Sequence, residues 1–135
     1  QYYLAESYYN LDNFQKAIEE FEKYLSRRSL SHELLKKTQF LLCKCYYKVT
    51  LDYNKDQSDT YLALEKLQYY IERKTSEENV AEISIMIKKL RNKLARKDFN
   101  TAKLYIRLKK YEAAELYFMN IINEFYDTDF LTVLF

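Results

Sequence analysis

Among 135 residues, Cys43 and Cys45 are the only thiols and His32 the only imidazole, the groups a zinc site or a thiol–imidazole pair would need. A spacing of two turns side chains by about 200° on a helix, so Cys43 and Cys45 point to roughly opposite sides. They can neither share a metal nor bridge easily, and His32 cannot complete a zinc site alone. Both sulfurs therefore read as small packing residues, and no metal or cofactor is expected. The adjacent carboxylates Glu19-Glu20 and Glu77-Glu78 face solvent at different angles, with no histidine or cysteine beside them to make an acid–base pair. Zero glycines remove the phosphate-cradling loops, nucleophile elbows and calcium loops that lean on that residue. No catalytic residue emerges, and the chain does not read as an enzyme.

Charge carries a clearer signal. The net value of +2 implies no globally polyanionic partner, but its distribution is uneven. Ten basic residues lie between Lys88 and Lys110 against Asp98 alone, whereas residues 111–135 hold five acids and no base. Part of such a stretch is simply the solvated face of a helix. The functional reading is an electrostatic docking stripe, centred on Lys89, Lys93 and Arg96, for an acidic partner surface or anionic lipid headgroups. Nucleic acid is not expected as a partner, because no recognised reading motif accompanies the charge.

These residues must be positioned by helices. Tight turns with positive φ favour glycine, and the absence of glycine and proline moves the fold class to all-α. Apolar spacing predicts about six helices near 1-11, 14-27, 32-50, 59-74, 77-109 and 111-126, and the start of a seventh at 130-135. Short connections pair them into antiparallel hairpins at about 1-28, 32-74 and 77-126 of a single repeat array. The fifth helix, at some 30 residues, is unusually long, and its stripe of Ile83, Ile87, Leu90 and Leu94 shifts phase near Phe99. No apolar run approaches the ~20 residues that span a bilayer.

The hairpins resemble one another. Ala5 with Tyr8 and Ala17 is matched by Ala102 with Tyr105 and Ala114 at the same spacing, each followed by Phe21 or Phe118. Cys43 with Tyr46 and Ala63 forms a third copy whose connection carries eight extra residues. The pattern is similar to the tetratricopeptide (TPR) repeat, in which a small residue at the crossing lets two backbones approach while aromatics fill the surrounding space. Tyr8, Tyr46, Tyr105 and Tyr111 thus read as packing aromatics. Asp12 and Lys109 stand at the turn where TPRs favour glycine, and Ser29 and Tyr126 where they favour proline. A right-handed superhelix is expected from the resemblance.

The TPR register also assigns a concave groove. Its lining would be Tyr2, Glu6, Tyr9 and Asn10, then Lys37, Phe40, Lys44, Tyr47 and Lys48, then Arg96, Phe99, Lys103, Ile106 and Arg107. Cations pair with anions while aromatic faces bury rings, so the surface suits an extended acidic or carboxylate-terminated peptide with aromatic side chains.

More specifically, Leu90-Arg91-Asn92-Lys93-Leu94-Ala95-Arg96-Lys97-Asp98-Phe99-Asn100-Thr101-Ala102-Lys103-Leu104-Tyr105 and Lys110-Tyr111-Glu112-Ala113-Ala114 resemble the fourth-repeat signature of the BamD family of TPR lipoproteins. Asn54-Lys55-Asp56-Gln57 and Glu124-Phe125-Tyr126-Asp127-Thr128 resemble two further stretches of that family, the latter without its proline. The resemblance implies a scaffold for β-barrel assembly at the periplasmic face of the bacterial outer membrane. Its implied partners are the POTRA domains of BamA, other subunits of the assembly machinery and unfolded β-barrel precursors, with membrane attachment only through a lipid anchor outside these residues. Gln1 inside a helix and the apolar Phe130 to Phe135 fit a piece of a longer repeat protein. A generic TPR adaptor is the alternative expectation.

Overall fold

The computed structural model describes residues 1–27, 31–51, 57–73, 77–125 and 127–128. Six helices appear in order: α1 (Tyr2–Asn10), α2 (Phe14–Leu25), α3 (His32–Val49), α4 (Gln57–Glu72), α5 (Glu77–Arg107) and α6 (Tyr111–Glu124). Their ends lie within two residues of the expected bounds, and no strand occurs among the described residues. The fold is all-α and TPR-like. The helix start expected at 130-135, the Asn54–Asp56 stretch, Ser29 and Tyr126 lie outside the described residues.

The chain divides into two compact units, Gln1–Met86 and Ile87–Phe135, with α5 contributing to each. In the first unit, neighbouring helices pack in sequence, α1 on α2, α2 on α3 and α3 on α4. Ala5 and Ala17 are fully buried with Tyr2, Ile18, Phe21 and Cys45, so the small residues stand where the helices cross closely. Cys43 lies on the other side of α3, its Sγ 4.0 Å from the Lys66 carbonyl oxygen of α4, where Ala63, Leu64 and Leu67 are also buried. The spacing of the two cysteines thus lets α3 pack on both sides. Burial pushes both thiols up to about 12, which keeps them protonated and inert.

In the second unit, Leu90, Leu94, Ala95 and Ala102 of α5 are buried, as are Ala114 and Ile121 of α6. The ring pairs Phe99–Phe118, edge to face with a centroid separation of 6.1 Å, and Tyr105–Tyr117, stacked at 5.6 Å, join the two helices. The stripe changes phase between Leu94 and Ala95, one turn before the expected Phe99, and α5 remains one helix through it. Tyr111 departs from its expected packing role and is 63% exposed. At the matching place in the first repeat, Phe14 rests edge-on against Tyr9 at 5.6 Å; the partner position here is Ile106, itself exposed, so Tyr111 has no aromatic counterpart to close on.

How two hairpins turn without glycine is visible in the backbone. Asp12 and Lys109 both adopt the left-handed region at φ 61°. After α1, the Asp12 N–H donates to Tyr9 O and the Asn13 N–H to Tyr8 O; after α5, Lys109 donates to Ile106 O and Lys110 to Tyr105 O. Each pair is the Schellman arrangement that satisfies orphan carbonyls at a helix end. The two first-to-second helix turns are the same structure, built at the positions where the repeat pattern favours glycine.

Candidate protein-interaction surfaces

The basic stretch resolves into a face and an internal staple. At 100° per residue, Lys89, Lys93, Arg96, Lys103 and Arg107 fall within an arc of about 80° on α5, opposite the side that carries Leu90, Leu94 and Ala102. Lys89, Arg96, Lys103 and Arg107 are exposed, and Lys93 is half-buried. Lys103 Nζ lies 5.4 Å from the Phe99 ring centroid, a cation–π contact that holds the ammonium over the half-buried ring. The residues assigned to a docking stripe and the basic residues assigned to the third groove segment therefore share one cationic face of the second unit. Asp98 is turned away from it and accepts from the Asn120 side chain of α6.

Arg91 lies on the opposite side of α5 and is removed from any docking role. Its guanidinium donates to both Asp127 oxygens, with Nε at 3.0 Å from each and Nη2 at 2.6 Å from Oδ1. It also donates to the Glu124 carbonyl at the end of α6 and stacks 5.5 Å from the Phe125 ring centroid. The hydrogen bonds from Arg91 hold the Asp127 carboxyl below its ordinary value. Thr128 completes the stop, its Oγ1 donating to Phe125 O at 2.7 Å. Reading the charges by count alone missed this staple. The signal that could have found it is the helical phase of Arg91, which places it beside the apolar stripe rather than with the other cations.

In the first unit, the groove residues of α1 and α3 meet through Tyr2. That ring is only 3% exposed and packs against Phe21 and Tyr24, with centroids 6.1 and 5.8 Å away, so it supplies little surface itself. Its hydroxyl donates to Glu6 Oε2 at 2.9 Å, and Lys37 Nζ approaches its ring to 5.9 Å. Burial, then the Glu6 hydrogen bond, raises the Tyr2 hydroxyl above its ordinary value. Lys44 sits 5.2 Å from the Phe40 centroid and pairs with Glu82 of α5 at 3.3 Å, so part of its charge is already taken. Tyr9 and Tyr47 are half-buried, whereas Asn10 and Lys48 are exposed. The first unit thus presents a mixed surface in which Glu6 and Glu82 temper the lysines. The second carries its cations together along one face of α5.

A family model described as YfiO, outer membrane lipoprotein, matches residues 1–132. The chain belongs to this family, the one its 90–114 segment resembles as BamD. No curated protein matches the sequence. The YfiO match spans both units, so it includes both left-handed hairpin turns, the cationic face and the Arg91–Asp127 staple. No helix among the described residues is long and apolar enough to cross a membrane.

Proposed function

We propose that this protein is a non-catalytic scaffold of β-barrel assembly, acting at the periplasmic face of the bacterial outer membrane as a single repeat array. Its proposed partners are the POTRA domains of BamA, other subunits of the machinery and unfolded β-barrel precursors, with membrane attachment through a lipid anchor outside these residues. The observation that carries this reading is the cationic face of Lys89, Lys93, Arg96, Lys103 and Arg107 on α5, within a chain of an outer membrane lipoprotein family. Such a face suits an acidic folded surface, which it steers into register before contact. The testing experiment is biolayer interferometry with the immobilised periplasmic domains of BamA from the same source. Saturable binding that weakens as salt rises supports the proposal, and absence of binding at low salt refutes it.

A second reading assigns the α1–α3 surface to an extended, carboxylate-terminated peptide, favoured by the Lys37–Tyr2 and Lys44–Phe40 contacts. Peptides with free and amidated C-termini separate this role from folded-partner docking. Preference for the free acid, lost on Lys37→Gln, supports the peptide role.

A further inference from the structure

The two hairpin turns share a backbone but not a surface. Asp12 and Lys109 hold the same φ of 61°, and the same pair of hydrogen bonds closes each turn. The difference between their side chains is therefore not demanded by the turn itself. Around Asp12, the rings of Tyr9 and Phe14 meet edge-on with centroids 5.6 Å apart, and both are half-buried. Around Lys109, the equivalent Ile106 and Tyr111 are 43% and 63% exposed, and Leu108 between them is 55% exposed. Charge differs as well. The first turn carries Asp12 and no base, whereas the second carries Arg107, Lys109 and Lys110, with Glu112 the only acid from Ile106 to Ala114. Every residue from Ile106 to Glu112 is exposed, and none of the three cations forms an ion pair among the described residues.

Exposed apolar side chains interleaved with cations are the chemistry of a bilayer boundary, where ammonium and guanidinium groups meet lipid phosphates while tyrosine rings and aliphatic chains sit at headgroup level. A turn at the end of a hairpin projects rather than recedes, so it suits a planar, deformable boundary better than it suits a peptide side chain. The chain's family places such a boundary beside it, since an outer membrane lipoprotein works next to a bilayer. We propose that the α5–α6 turn is a membrane-surface contact: Leu108 and Tyr111 enter the headgroup boundary of an anionic bilayer, and Arg107, Lys109 and Lys110 pair with its phosphates. A tether elsewhere in the protein raises the effective concentration of the bilayer, so a weak contact is enough to orient the second unit. The contact does not use Lys89, Lys93 or Arg96, and it stands whether or not those residues dock a protein.

The chain contains no tryptophan, so Tyr111→Trp puts a single fluorescent reporter on this turn and Leu11→Trp puts one on the other. Each full chain is titrated at low salt with vesicles of phosphatidylglycerol and phosphatidylcholine in equal parts, and with phosphatidylcholine alone. With the anionic vesicles, emission at 111 should move to shorter wavelength and be quenched by brominated acyl chains, while emission at 11 does neither. Vesicle cosedimentation then compares charge variants. Lys109→Asn with Lys110→Gln should weaken partitioning on the order of tenfold, asparagine being chosen because it tolerates the left-handed backbone. Lys89→Gln with Arg96→Gln removes the same charge and should weaken it less. Leu108→Gln should weaken it several-fold at an unchanged urea midpoint. No binding to the anionic vesicles, equal binding to phosphatidylcholine alone, an unshifted reporter at 111 in the bound protein, or an equal loss in the two charge variants would each overturn the proposal. So would a Lys109→Asn, Lys110→Gln protein that loses affinity for the periplasmic domains of BamA but not for vesicles, because that result gives the turn to a folded partner.

Discussion

Replacing Lys109 with glycine should stabilise the protein, although it removes a side chain and creates no contact. Lys109 holds φ at 61° to close the Schellman turn after α5. For an L-residue with a Cβ, that conformation costs about 1–2 kcal/mol. Glycine adopts it freely but gives back about 0.5–1 kcal/mol through the greater entropy of its unfolded chain. The difference leaves a net gain of about 0.5–1 kcal/mol for Lys109→Gly. Asp12, at the same φ after α1, belongs to a residue type that tolerates the left-handed region better, so Asp12→Gly should gain less. The two sites lie in different units, and their effects should add. Leu11, one residue earlier at φ −89°, is the control: it needs no left-handed freedom, and Leu11→Gly should destabilise. Urea denaturation followed by circular dichroism measures all three. A loss of stability in Lys109→Gly, or a gain equal to it in Leu11→Gly, refutes the reasoning.

Three further outcomes follow from the same structure. Ala114→Leu adds a branched side chain at a crossing only 2% exposed and should cost about 1–3 kcal/mol by overpacking, read as a lower urea midpoint at unchanged slope. Asp127→Asn should lower the melting temperature at neutral pH. Because Arg91 depresses the folded carboxyl below its ordinary value of 3.8, this deficit should be full above that value and shrink as pH falls beneath it; an equal deficit at neutral and strongly acidic pH contradicts the staple. Cys43 and Cys45, pushed up to about 12 and buried, should resist a thiol-specific disulfide reagent in the native protein at mildly alkaline pH and react on unfolding.

Much of the helical order was legible in the sequence because periodicity and crossing residues speak through local rules. Ala5, Ala17, Cys43, Ala63, Ala102 and Ala114 are all buried where the repeat spacing puts them. Asp12 and Lys109 could be assigned to turns from the repeat register, which puts them where glycine is favoured, but lysine's own type would not suggest the left-handed backbone that Lys109 adopts. The charge stretch was legible as composition, not as geometry. Helical phase separates Arg91, bound to Asp127 some 36 residues away, from the cations that share the outer face. Similarly, Tyr2 was assigned to a groove from its register, yet Phe21, Tyr24 and Glu6 bury it, and only their meeting in space reveals that.

The role proposed for the outer face of α5 is to dock an acidic partner. Its most direct test is the association rate with the purified periplasmic domains of BamA, measured against ionic strength for the wild type and for Lys89→Glu, Lys93→Glu and Arg96→Glu combined. Circular dichroism first checks that the variant is folded, because Lys93 is half-buried. Exposed charges are screened over ~8 Å at physiological ionic strength and act chiefly on encounter. A docking role for this face gives a rate about tenfold lower in the variant at low salt, with a flattened salt dependence and convergence with wild type as salt rises. An unchanged rate and an unchanged salt slope in a folded triple variant would contradict it, leaving the face solvated and without a docking role.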